Sequence, residues 1–191
     1  MLKEPNWTAA QVLLVEEGKR AIENFSAKHD TEPCSFFAFS VDYCFGDVVI
    51  CFDTYDNSVL HAKRNEVQTL RIWDEAFSSE RDVENAQAHL LSRRLCSYNQ
   101  FTAEFKYPNF ATVHFSDWEE YFLNEQRPEH PDPVGHVIVL MHQVIAELVS
   151  SHSFDGLALS SPFRIGVEFA EEIRLVVMRL LNWPSHQGPR V

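Results

Sequence analysis

The chain has 191 residues, 45% hydrophobic and 23% charged, which fits one globular domain, residues 1–191, able to bury a full core. Its 28 acidic side chains against 16 basic ones give a formal net charge of −12. A surface of that sign repels phosphate backbones and anionic lipid, so the expectation is no nucleic acid and no membrane as partner.

The opening stretch, Met1 to Trp7, has no apolar core followed by small residues and so does not read as a secretory signal. The longest nearly uncharged apolar run, Val134 to Ala146, falls short of the about 20 residues that a bilayer span takes. Cys34, Cys44, Cys51 and Cys96 show no CxxC spacing and read as reduced, mostly buried thiols. Together these features predict a cytoplasmic protein.

In chain order, Thr8-Ala9-Ala10-Gln11 has the form of a capping box and predicts a helix start. Val12, Val15, Ile22 and Phe25 then recur at helical spacing until about His29-Asp30. Ser35 to Asp42 and Asp47 to Thr54 are β-branched and aromatic runs separated by Tyr43-Cys44-Phe45-Gly46, the pattern of a hairpin with a short loop. Both strands are apolar on both faces near their middles, so the sheet is expected to be covered on at least one side. Helices are predicted from about Ser58 to Leu70 and from Ser79 to about Ser97.

Phe101 to Tyr107 alternates apolar and polar residues and predicts a half-buried strand. Pro108-Asn109 is expected to break it before a second short strand, Phe110 to Phe115. Ser116-Asp117-Trp118-Glu119 predicts the cap of a short helix. Asp132 and Pro133 have the residue types of an N-cap and a first helical position, opening a helix of about 18–20 residues. Phe163 to Phe169 reads as a final strand, and Ala170 to Asn182 as a last helix before a polar tail at about 183–191. The order predicts an α+β fold: a mixed, largely antiparallel sheet packed with about five to six helices.

Motifs that carry chemistry are scarce. The nine histidines show no zinc spacing: His136 and His142 lie six apart, which separates them by about 240° around a helix. There is no nucleophile elbow and no glycine-rich phosphate loop. No cofactor is expected. The best enzymatic pattern is Glu104-Phe105-Lys106. On a strand, Glu104 and Lys106 would share one face, as in metal-dependent nucleases, with Asp47 or Asp53 supplying a second carboxylate. A metal-dependent hydrolase is therefore the alternative reading.

The negative charge is concentrated. Asp117, Glu119, Glu120, Glu125, Glu129 and Asp132 fall within sixteen residues that hold one basic side chain, Arg127. Trp118, Tyr121 and Phe122 are interleaved with them. Rings supply contact area and acids supply steering, so this composition suits a protein-binding patch. A second acidic set surrounds the hairpin: Asp42, Asp47, Asp53 and Asp56, with Tyr43 and Tyr55. The candidate contact residues are accordingly Asp117, Trp118, Glu119, Glu120, Tyr121 and Glu125, with Asp42, Tyr43, Asp47, Asp53, Tyr55 and Asp56.

An opening amphipathic helix leads into Phe36-Phe37-Ala38-Phe39-Ser40-Val41, then Asp47-Val48-Val49-Ile50-Cys51-Phe52-Asp53-Thr54, and later Phe115-Ser116-Asp117-Trp118-Glu119. This layout resembles the small acidic bacterial immunity proteins, which neutralise a toxin by direct binding. The resemblance implies inhibition of a basic toxin or enzyme, with acidic residues facing its active site. It transfers no individual site residue. A homo-oligomer that buries the aromatics against a second copy is a third reading of the same surface.

Overall fold

The computed structural model describes residues 4–61, 64, 101–123, 133–170 and 175–182. The expected helix at 79–97, most of the one at 58–70, and the C-terminal tail lie outside these residues.

Helix α1 runs from Trp7 to Lys28. Its cap stands two residues before the expected Thr8: the Asn6 side-chain oxygen accepts the Ala9 amide at 3.1 Å. Strands β1 (Cys34–Asp42) and β2 (Asp47–Thr54) form the expected hairpin, closed by the Asp42–Asp47 pair. A helical segment, α2, covers residues 55–61. Strand β3 (Tyr107–His114) leads into α3 (Ser116–Leu123), and α4 spans Pro133–Ser150. Strands β4 (Leu159–Phe169) and β5 (Leu175–Leu181) complete the set.

The fold is α+β. The five strands lie in the order β3-β2-β1-β4-β5. Only β1 and β4 pair in parallel, and the other three pairings are antiparallel. Four helices are counted among the described residues, where the sequence predicts five to six. None of them is long and apolar enough to cross a membrane.

Alternation along the strands assigns the faces. Phe37, Phe39 and Val41 of β1, Val48, Ile50 and Phe52 of β2, and Phe163, Ile165 and Val167 of β4 join one core with α1 and α4. Burying each such side chain stabilises the fold by about 1.5–3 kcal/mol. The Phe25 ring of α1 stacks on Phe52 at 4.3 Å. Gly18 lets α1 approach α4 closely, since a Cβ there would stand 3.1 Å from Leu148 Cδ1. The opposite face carries a smaller cluster of Phe36, Ala38, Cys51 and Phe105.

Two segments differ from the sequence-based expectation. Residues 101–106 are not a strand; they hold a 3-10 turn at Thr102–Glu104. Side chains from elsewhere capture the backbone there. Glu168 accepts from the Thr102 amide at 2.6 Å and from its hydroxyl at 3.0 Å. Asp53 accepts the Lys106 amide at 3.1 Å, and the Glu104 carbonyl accepts from Asn57 at 2.9 Å. Strand β3 then runs through Pro108 rather than starting after it, because β3 is a sheet edge where a missing amide donor is tolerated. Its register with β2 shifts between Ile50 and Phe52, opposite that proline. The second difference is β5. A short apolar run has no decisive period, and pairing with β4 makes Leu175–Leu181 a strand, where a helix had been expected. Strand β4 itself starts at Leu159, ahead of the expected Phe163.

Candidate partner-binding site

The hairpin tip and the start of α3 meet at one end of the sheet. Within the tip, the Phe45 amide donates to Asp42 Oδ1 at 3.2 Å, and the Gly46 amide to the Tyr43 carbonyl at 3.4 Å. Gly46 has φ 70°, a left-handed conformation that glycine adopts at little cost. It also needs the absence of a side chain, because a Cβ would stand 2.1 Å from the Phe115 carbonyl oxygen. The Phe115 amide closes the seam by donating to the Gly46 carbonyl at 2.8 Å.

The seam sets two acidic groups side by side. Asp42 and Asp47 flank the tip, both half-exposed. Asp47 faces His114 across the β2–β3 ladder, with Oδ1 and Nδ1 2.8 Å apart. One residue beyond β3, α3 presents Asp117, Glu119 and Glu120 to solvent. Asp117 Oδ2 also accepts the Asn6 amide at 3.3 Å, which ties the start of α1 to the same corner. Two acidic sets some 70 residues apart in sequence thus lie at the same end of the sheet, an acidic rim that spans the hairpin tip and the start of α3.

The aromatics lie beneath that rim. Trp118 is 0% exposed, and Tyr121, Phe122 and Tyr43 are also buried. Trp118 stacks on Phe115 at 4.5 Å and tilts against Trp7 at 5.5 Å. Phe122 packs on Tyr43 at 5.0 Å. Trp118, Tyr121 and Tyr43, expected as contact residues, are therefore core anchors that hold α3 and the hairpin together. The spacing of Trp118 and Tyr121 on α3 is that of a buried helical face. The contact area expected of these three rings is buried in the core.

Asp53 is corrected in the same way. It is fully buried, and it lies six residues along β2 from Asp47, about 20 Å away at ~3.3 Å per residue. Its carboxylate accepts from Ser58 Oγ at 2.5 Å, Asn57 Nδ2 at 2.7 Å and the Lys106 amide. It latches the 104–106 turn to α2. Tyr55 and Asp56 are exposed at that far end of β2, away from the rim. Glu125 lies outside the described residues.

The same geometry bears on Glu104 and Lys106. Glu104 sits in the 3-10 turn, so it does not share a strand face with Lys106. Asp47 is at the opposite end of β2, and Asp53 is committed to the latch. Among the described residues there is no group of three or more His, Cys, Asp or Glu able to hold a metal ion.

Two groupings have no local signature in the sequence. At the junction of α1 with β1, Glu32 accepts from Lys106 Nζ at 2.5 Å and from the Tyr107 hydroxyl at 2.9 Å, with His29 Nδ1 3.2 Å away. The Lys106 hydrogen bond, with those from Tyr107 and His29, holds the Glu32 carboxyl below its ordinary value against the opposing effect of burial. The same bond raises Lys106. This clamp joins residues 74 positions apart, and only the expected triplet around Lys106 hinted at it. The second grouping is a groove of about 390 Å³ between the start of α1 and the first three turns of α4. Trp7, which roofs Trp118, lines it together with His136.

No protein-family model, no curated protein and no solved structure matches this chain.

Proposed function

We propose that this protein binds a basic protein partner through the acidic rim and neutralises it, acting in the cytoplasm as an inhibitor of the immunity-protein kind. The observation that carries the reading is the seam at Gly46, which gathers Asp42, Asp47, Asp117, Glu119 and Glu120 at one end of the sheet. The rim sits on a rigid aromatic base, so its charges are held in place before a partner arrives. A net charge of −12 adds a field that steers a basic partner toward the surface and raises its association rate about 10- to 1,000-fold at low salt.

The test is capture of partners from the native host by the tagged protein, followed by association kinetics at two salt concentrations. A basic protein released by salt is expected, with an on-rate that falls about ten-fold or more when Asp117→Asn, Glu119→Gln and Glu120→Gln are combined. Capture of no basic protein at low salt, or an unchanged on-rate for the triple variant, would reject the reading.

A further inference from the structure

We infer that the groove between α1 and α4 is an arginine-binding pocket that takes one side chain of the basic partner. The inference rests on the proposed function and adds a specific contact to it.

The groove has an apolar wall, and the Glu4 carboxylate is bonded to the Trp7 that closes its end. Val139 and Leu140 of α4 form the wall, and Val139 is 55% exposed although it belongs to a helix packed on the core. Trp7 and His136 close one end, with their ring centroids 5.7 Å apart and nearly perpendicular. The Glu4 carboxylate stands beside both rings: Oε1 accepts from Trp7 Nε1 at 3.2 Å and stands 3.8 Å from His136 Nδ1. Half of the Glu4 side chain is exposed, so its carboxylate is open to a ligand. Gln11 and Gln143 place amides along the groove.

A guanidinium satisfies each of these features. Its planar fork pairs with a carboxylate, its face packs on an indole, and its methylene stem covers aliphatic surface. A simple apolar ligand would desolvate the Glu4 carboxylate without giving it a new partner, and an anion would be repelled by it. Charge selects the occupant as well. Trp7 packs on Trp118, and Asp117 beside it bonds the Asn6 amide, so the pocket adjoins the rim that would draw in a basic protein. At the start of α1 the Asn6 side chain takes the Ala9 amide, and a helix dipole fades beyond the first turn. The wall residues Val139 and Leu140 lie beyond the first turn of α4.

The probe is N-acetyl-arginine amide, titrated into the full chain while the Trp7 indole and Val139 methyl resonances are followed. N-acetyl-citrulline amide is the neutral control of matching shape. Arginine amide is expected to shift both resonances and to bind about three- to five-fold more tightly than the citrulline form. Glu4→Gln should erase that difference, and Val139→Arg should abolish binding while leaving the fold intact. Equal binding of the two amides, or a Glu4→Gln protein that still prefers arginine, would overturn the pocket. With the captured partner, a complex weakened by the rim triple variant but indifferent to Glu4→Gln and Val139→Arg would overturn the pocket and leave the proposed function standing. Indifference to all of these changes would remove both.

Discussion

Replacing Gly46 with alanine tests the seam on which the acidic rim depends. An L-residue held at φ 70° costs about 1–2 kcal/mol. The new Cβ would stand 2.1 Å from the Phe115 carbonyl oxygen and 3.0 Å from its carbon, well inside the roughly 3.5 Å of ordinary contact. Both neighbours are backbone, so the hairpin tip must move away from the start of α3. That breaks the Phe115 to Gly46 hydrogen bond of 2.8 Å, worth about 0.5–1.5 kcal/mol. The combined loss is about 3 kcal/mol, or a melting temperature lower by about 6–12 °C for a chain of this size. Gly156→Ala is the control, because a Cβ there meets only Ser26 Oγ at 3.7 Å. It should be neutral or stabilising by up to about 1 kcal/mol. Urea denaturation of the two variants against the parent measures the difference. A Gly46→Ala loss below about 1 kcal/mol, or one equal to that of Gly156→Ala, would refute the reasoning.

Three further outcomes are expected. Asp53→Ala should cost about 3 kcal/mol or more by denaturant titration, since it strips a buried acceptor from Ser58, Asn57 and the Lys106 amide; a loss under about 1 kcal/mol would mean that the latch is not structural. Because the folded Glu32 carboxyl lies below its ordinary value of 4.5, the clamp stabilises above that pH and is lost as the pH falls through the folded value. Lys106→Met should therefore move the Glu32 titration upward by NMR, and an unmoved titration would discard the ion pair as its main cause. Burial pushes the Cys51 thiol up to about 12 and that of Cys34 higher still. In a Cys96→Ser background, a thiol reagent near pH 8 should label the half-buried Cys44 and reach Cys34 and Cys51 only after unfolding. Labelling of all three at one native rate would contradict the packing.

Part of the site was legible as local pattern. Acids at Asp117, Glu119 and Glu120 open a short helix, and an amphipathic helix turns such residues outward. The interleaved Trp118 and Tyr121 carry the same periodicity, which is why they fill the core rather than meet a partner. The hairpin acids divided because β-strand geometry is extended: Asp47 and Asp53 lie within one element but at its opposite ends. The clamp at Glu32 and the carboxylate between Trp7 and His136 join distant residues, and no spacing rule reports such pairs.

The sequence by itself determined the hairpin, α1, the start of α4 at Pro133 and the α+β class, because alternation, helical period and turn residues are local properties written in a short window. Tertiary structure alone decided the 101–106 turn, the strand at 175–181 and the parallel partnership of β1 with β4. In each, the local preference was weak or divided, and distant groups settled the outcome. Glu168 and Asp53 claimed amides that a strand would have used, and the open edge of β4 claimed an apolar run that a helix would also have suited. The acidic rim belongs to this second kind. Its charges are visible in the sequence, but their convergence rests on one glycine with no room for a side chain.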